Sequence, residues 1–150
     1  MKEHIIIKED LIDVVVQVSA AIFEFDAVYN KEYFEARYNN AIKLILVAYI
    51  NEAPIGFIVA YDKENNDSFY CWMAGVNPNF RRLGVLNELM KYLEKWASTK
   101  GYKKIAIKTR NQRREMLAYL VKNNYNFTDV QSQSLVKDNR ILLEKNIENN

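Results

Sequence analysis

Gly75-Val76-Asn77-Pro78-Asn79-Phe80-Arg81-Arg82-Leu83-Gly84-Val85-Leu86 is the stretch on which the reading of this chain turns. It has the order of a strand end, a turn at Asn77-Pro78, a basic loop containing one glycine, and the start of an amphipathic helix. The first N–H groups of a helix have no partner within it, and they carry the positive end of its dipole. Two arginines beside such an end define an anion site, and phosphate is the usual anion. The same residues also fit a plain strand-to-helix connection in which Gly84 and the arginines only solvate a turn. One glycine in a loop does not separate the two readings.

Outward from that loop, the elements follow from spacing. Leu83, Leu86, Leu89/Met90, Leu93 and Trp96/Ala97 recur on one helical face, and Gly101 stands where a left-handed cap belongs. Residues 104–109 alternate Ile105 and Ile107 with polar residues, which predicts a strand. Strand, helix and strand in this order predict a parallel crossover. Met116, Leu117, Leu120 and Val121 predict a helix ending near Asn123-Asn124, and residues 125–135 and 140–145 a closing strand pair. Upstream, residues 44–50, 55–61 and 68–76 predict an antiparallel meander joined by Asn51-Glu52-Ala53-Pro54 and by residues 63–67. The chain opens with a strand at 4–7. Asp10 is the expected N-cap of a helix running to about Tyr29, with Asp13 in its first turn, and a second helix spans 31–40. The β-branched run at 14–18 leaves a strand reading open there.

With 150 residues, 49% of them hydrophobic and only four Gly and two Pro, the chain suits one packed domain over 1–150. A net charge of +2 does not argue for nucleic acid. The single Cys71 excludes an internal disulfide, which points to a reducing, cytoplasmic setting. Cys71 lies in an apolar run, so a buried, inert thiol is expected. The single His4 with no second cysteine gives no recognisable zinc site, and no metal is expected. No long apolar segment suggests a leader or a membrane span. The expected assembly is a monomer or a homodimer.

The order Val-x-Pro, then Arg-x-x-Gly-x-(Gly or Ala), then a helix, resembles the acyl-CoA-binding motif of the GNAT superfamily of N-acetyltransferases. The match falls on Val76, Pro78, Arg81 and Gly84. The element order is similar to that fold over nearly the whole chain. The resemblance implies an α/β (α+β) architecture: a mixed, mainly antiparallel seven-stranded sheet flanked by about four helices. It implies acetyl-CoA as cosubstrate, its pyrophosphate gripped by the loop amides and its pantetheine arm bonded to the preceding strand. The implied cofactor-binding residues are Ala74, Gly75, Val76, Arg81, Arg82, Leu83, Gly84, Val85, Leu86 and Asn111. Leu86 departs from the motif, which has Gly or Ala there. Its helical spacing to Leu89, Met90 and Leu93 favours turning it to the core.

The family reaction implied is direct attack of a primary amine on the acetyl thioester. It needs a neutral amine, a stabilised oxyanion and a leaving thiolate. The resemblance gives the oxyanion to a backbone N–H at the bulged end of the fourth strand, near residues 74–76, a role worth about 3 kcal/mol. Many members protonate the thiolate with a tyrosine of the last helix. Counting back from Asn124-Tyr125 puts Leu120 at that position and Tyr119 one residue early, about 100° around the helix. Tyr119 is the candidate acid; the alternative is that it only borders the core. A lysine acceptor, with pKa ~10.4, is neutral in only about one molecule in 2,500 at pH 7, against about one in seven for an α-amine. No carboxylate in 69–76 offers a base. Glu24, Asp26, Glu32 and Glu35, interleaved with Phe25, Tyr29, Tyr33 and Tyr38, are expected either to draw in a cationic amine with an apolar neighbour or to form a solvated helix face. Arg110, Arg113 and Arg114 oppose the dipole at the start of the last helix, which suits an external anion such as the CoA 3′-phosphate or a solvated surface.

Two other functions follow from the same residues. Leu86 and Leu120 fit a GNAT-like acyl-CoA-binding or protein-interaction module with little or no turnover. Arg81, Arg82, Lys103, Lys104 and the 110–114 cluster suggest an RNA surface, against which stand the nearly balanced charge and the lack of a recognition motif. The acceptor itself, a small molecule or a peptide amine, is not named by the sequence.

Overall fold

The structure is a computed structural model that describes residues 4–22, 25 and 29–148. Seven strands form one sheet: β1 (Ile5–Glu9), β2 (Lys43–Ile50), β3 (Ala53–Tyr61), β4 (Ser68–Val76), β5 (Lys104–Arg110), β6 (Asn126–Gln131) and β7 (Arg140–Asn146). Their order across the sheet is β1-β2-β3-β4-β5-β7-β6. Only β4 and β5 run parallel, because helix α3 (Val85–Thr99) crosses over between them. Helices α1 (Ile12–Ser19), α2 (Lys31–Tyr38) and α4 (Arg114–Lys122) are the other α-helices among the described residues. No described helix is long and apolar enough to cross a membrane.

The central strands bury both faces, so they read as nearly continuous apolar runs rather than as strict alternations. On one face Leu44, Leu46, Ile58, Phe69 and Ile105 pack against Leu89, Met90 and Leu93 of α3 and Leu117 and Leu120 of α4. On the other, Val47, Phe57, Val59 and Tyr61 pack against Ile12, Val15 and Val18 of α1 and Phe34 and Tyr38 of α2. A Cβ on Gly56 would stand 3.0 Å from Val85 Cγ1. The glycine therefore lets the first residue of α3 lie directly on the sheet.

Four local expectations are corrected. The first helix starts one residue late, with Leu11 as its N-cap. Asp10 instead accepts the Leu11 N–H at 2.7 Å and the hydroxyl proton of Tyr49 on β2. The helix also stops at Ser19 rather than near Tyr29. Ser19 Oγ turns back onto the Val16 carbonyl at 3.1 Å, and Ile22 reaches the core from a turn. The β2–β3 connection is two residues, not four: Asn51 and Glu52 take φ of +50° and +68°, and Pro54 already pairs with Tyr49. Positive φ at both turn positions matches the right-handed twist of the flanking strands. The sixth strand is also shorter than expected and ends at Gln131.

The decisive feature of the sheet is where β4 and β5 separate. Their ladder runs from Ser68↔Lys104 to Cys71↔Ile107 and ends there, while β4 continues to Val76. Against β3, Val59 faces Met73 and Ala60 faces Cys71, so Trp72 is an extra residue in β4. Such a bulge bends its strand and increases its twist. The expected bulge near residues 74–76 thus lies at Trp72. From there to Val76, the edge of β4 that faces β5 pairs with no strand.

Candidate active site at the split between β4 and β5

The loop from β4 into α3 is built to present backbone. Asn77 N–H donates to the Ile55 carbonyl at 2.8 Å, and its side chain accepts from Asn79 N–H at 3.0 Å. Pro78–Phe80 form a single 3-10 turn, and Arg81 Nε donates to the Val76 carbonyl at 3.2 Å, fastening the loop to the strand end. Gly84 is the N-cap of α3 at φ +85°, a left-handed conformation that side chains disfavour. A Cβ there would meet nothing within 4 Å, so backbone angle and not space requires the glycine. The first N–H bonded into the helix is that of Glu88, to the Gly84 carbonyl at 3.1 Å. The N–H groups of Val85, Leu86 and Asn87 precede it and point out of the helix start.

Those groups face a cavity of about 620 Å³ between the α3 loop, the open edge of β4 and the start of α4. Ala74, Gly75 and Val76 line it from the strand, and Arg81, Arg82, Gly84, Val85 and Leu86 from the loop and helix. Two residues of the expected set are not among those lining it. Leu83 points outward, 39% exposed. Asn111 is held away by the Val136 carbonyl, 3.2 Å from its Nδ2, and by Arg114, 3.0 Å from its Oδ1. Leu86 both packs against the core and lines the cavity, so its departure from the motif narrows the site. Arg82 reaches across the mouth to Glu115 of α4, 3.8 Å away, in an exposed pair that adds little stability. Phe80, Asn87, Gln112 and Met116 also line this cavity. Nothing in the sequence marked them, because their approach depends on how α3 and α4 pack.

Helix α4 turns Leu120 into the core with no exposed surface and turns Tyr119 into the cavity. The Tyr119 hydroxyl donates to Asn87 Oδ1 at 3.2 Å. Burial, with the charges of Glu94 and Glu88, pushes its pKa above the usual phenol range. The expectation based on counting, that Leu120 takes the site position, is therefore corrected by the rotation of the helix.

A second cavity of about 420 Å³ opens on the α1–α2 face of the same split, and the two share Phe25, Ala74, Arg113 and Met116 in their walls. Phe25, Tyr29 and Tyr33 line it as the sequence suggested, whereas Tyr38 is buried in the core. Glu32 and Glu35 lie on the exposed surface of α2 and line neither cavity; Glu24 and Asp26 lie outside the described residues. No carboxylate is among the described residues of this wall. Its charged side chains are instead Arg37, Lys108, Arg110, Arg113 and Arg140. Cys71 is wholly buried, and burial raises its thiol to about 12, so it is un-ionised and not nucleophilic at neutral pH. Among the described residues no group of three His, Cys, Asp or Glu side chains could hold a metal ion.

The fold is that of one known family. The model of the acetyltransferase (GNAT) family matches residues 15–125, and the chain belongs to that family. Solved structures agree in fold. The ribosomal-protein-S18-alanine N-acetyltransferase of Escherichia coli superposes with a TM-score of 0.81 at 13% identity, over 97% of this chain and 95% of that one. Ard1 of Thermoplasma volcanium gives 0.78 at 15% identity, over 95% and 97%. The PaiA N-acetyltransferase of Thermoplasma acidophilum, solved in complex with coenzyme A, gives 0.74 at 18% identity, over 95% and 99%.

Proposed function

We propose that this chain is an acetyl-CoA-dependent N-acetyltransferase that acts on a primary amine. The observation that carries the reading is the pair of cavities meeting where β4 and β5 part, one of them walled by the open N–H groups at the start of α3. Acetyl-CoA, as substrate, supplies an activated acetyl thioester. Its pyrophosphate suits the N–H groups of Val85, Leu86 and Asn87 and the charge of Arg82. Its amide-bearing arm suits the unpaired edge of β4 from Trp72 to Val76, in the manner of an added strand. That places the thioester near Ala74 and Met116, within reach of a backbone N–H of the bulged strand for the charge that builds on its oxygen. Tyr119, protonated at neutral pH, stands on the same wall as a donor for the departing sulfur. The amine enters through the smaller cavity.

Isothermal calorimetry with acetyl-CoA, together with a thiol-release assay on an amine panel, tests this. Wild-type protein is expected to bind acetyl-CoA and release thiol in the presence of an amine. Gly84→Asp sets a carboxylate against the pyrophosphate position, and affinity should fall tenfold or more, about 1.4 kcal/mol. Unchanged affinity in a folded Gly84→Asp protein would move acetyl-CoA away from this loop.

A further inference from the structure

Among its described residues, the charged side chains of the smaller cavity are all cationic. Lys108 and Arg110 lie two residues apart on β5, on the face opposite the core residues Ile105 and Ile107. Arg140 of β7 is directly across from Arg110 in the ladder. Arg37 approaches from α2. Its Nε donates to the Tyr61 hydroxyl at 3.1 Å and its guanidinium lies 4.8 Å from the centre of the Trp72 ring, which fixes its direction. Among the described residues, Arg37, Lys108 and Arg140 form no ion pair with a carboxylate; the one hydrogen bond of the Arg140 guanidinium goes to the Asp138 backbone carbonyl. Burial first, and then the charges of Lys63, Arg37 and Arg140, lower the pKa of the Lys108 ammonium. Beside them is an aromatic shelf: Tyr29 and Tyr33 stack at 4.6 Å between ring centres, and Tyr33 lies 5.8 Å from Trp72.

We propose that the acceptor is an anionic amine, with a carboxylate or phosphate held by Arg37, Lys108 and Arg140, an apolar body against Tyr33 and Trp72, and its nitrogen at the Ala74–Met116 junction. This rests on the acetyltransferase reading above. In the transfer, the neutral amine nitrogen forms a bond to the acetyl carbon, the carbon–sulfur bond breaks, and the proton lost by nitrogen is balanced by the one the thiolate gains. A polyamine or a lysine-rich peptide is repelled by the same wall.

The test compares amines that differ by one anionic group: L-phenylalanine with L-phenylalaninamide, and D-glucosamine 6-phosphate with D-glucosamine. The first pair reports a carboxylate and the second a phosphate. In at least one pair the anionic member is expected to show a kcat/KM tenfold or more above its neutral partner. Lys108→Met and Arg140→Gln should each reduce that ratio about tenfold, mainly through KM of the anionic amine, and Lys108→Arg should restore most of it. Preference for the neutral member in both pairs, or a ratio untouched by both substitutions, overturns the proposal. If no amine is turned over, calorimetry with N-acetyl-L-phenylalanine and N-acetylglucosamine 6-phosphate against their uncharged counterparts decides it. Binding of an anionic member that weakens tenfold in Lys108→Met supports the site, and no preference refutes it. Acetyl-CoA affinity is measured separately, so its absence counts against the acetyltransferase reading and not against the anion site.

Discussion

Tyr119, proposed as the donor to the departing sulfur, takes its environment from two helices. Its hydroxyl is in the larger cavity, bonded to Asn87, and its raised pKa keeps the proton in place beyond the ordinary phenol range. Under that proposal the phenol keeps its proton at neutral pH and is available as a donor. A thiol with pKa of about 8.5 leaves fairly well without help, so the contribution falls near the low end of the roughly 10²–10⁴-fold range for general acids. Tyr119→Phe is expected to lower kcat about 30- to 100-fold while acetyl-CoA affinity by calorimetry stays within about twofold, because the ring remains. A kcat loss below about twofold would make the hydroxyl a packing feature. Leu120→Tyr gives the opposite control. It forces a hydroxyl into the core and should lower stability without adding activity.

Among the elements, α3 is fixed at both ends by different means. Its start rests on Gly56 through Val85. Near its end Glu94 accepts from Lys145 Nζ of β7 at 2.9 Å and from the Tyr125 hydroxyl at 2.7 Å, with the side chains of Glu94 and Lys145 only 12% and 19% exposed. Removing one partner of such a pair strands a charge in a poorly solvated place, at a cost of about 3 kcal/mol or more. Glu94→Ala is expected to destabilise by that amount in urea titrations. Glu94→Ala combined with Lys145→Met should cost clearly less than the two separate losses added together, since neither charge is left alone. Strict additivity would show that the pair does not hold α3 to β7.

For the molecule as a whole, the sheet buries both faces and opens at one point only by giving up the β4–β5 ladder beyond Cys71. Cys71 is the last paired residue of β4 there and is fully buried, its thiol raised from 9.0 to about 12. An unfolded thiol ionises near 9 while the folded one keeps its proton. The contribution of Cys71 to stability is therefore complete below about pH 9 and is lost as pH rises toward 12. Over that window wild-type stability should fall more steeply than that of Cys71→Ala, by up to about 1.4 kcal/mol per pH unit. Denaturant titrations at pH 8, 9.5 and 10.5 measure the difference. The buried tyrosines are common to both proteins and cancel. Parallel slopes would mean that the thiol ionises within the fold. At neutral pH, Cys71→Ala should retain most turnover, and an acetylated Cys71 seen by mass spectrometry during turnover would contradict direct attack.

The sequence by itself determined the order of elements, the β4–loop–α3 connection and the buried cysteine. Each depends on short-range rules. Helical and strand periodicities are local, the left-handed cap after α3 falls on Gly101 as its position implied, and a cysteine in an apolar run is buried with that run. Packing overrode local pattern where α1 ended at Ser19 and where the bulge fell at Trp72. Only the tertiary structure decided which of Tyr119 and Leu120 faces the cavity, since adjacent helix residues differ by about 100° and the packed face of α4 sets the rotation. It alone turned the Asn111 side chain to the Val136 carbonyl and brought Arg37, Lys108 and Arg140 from three separate elements to one wall. Charges that meet through a fold leave no spacing in the chain, because their distance is set by strand pairing and helix docking rather than by the residues between them.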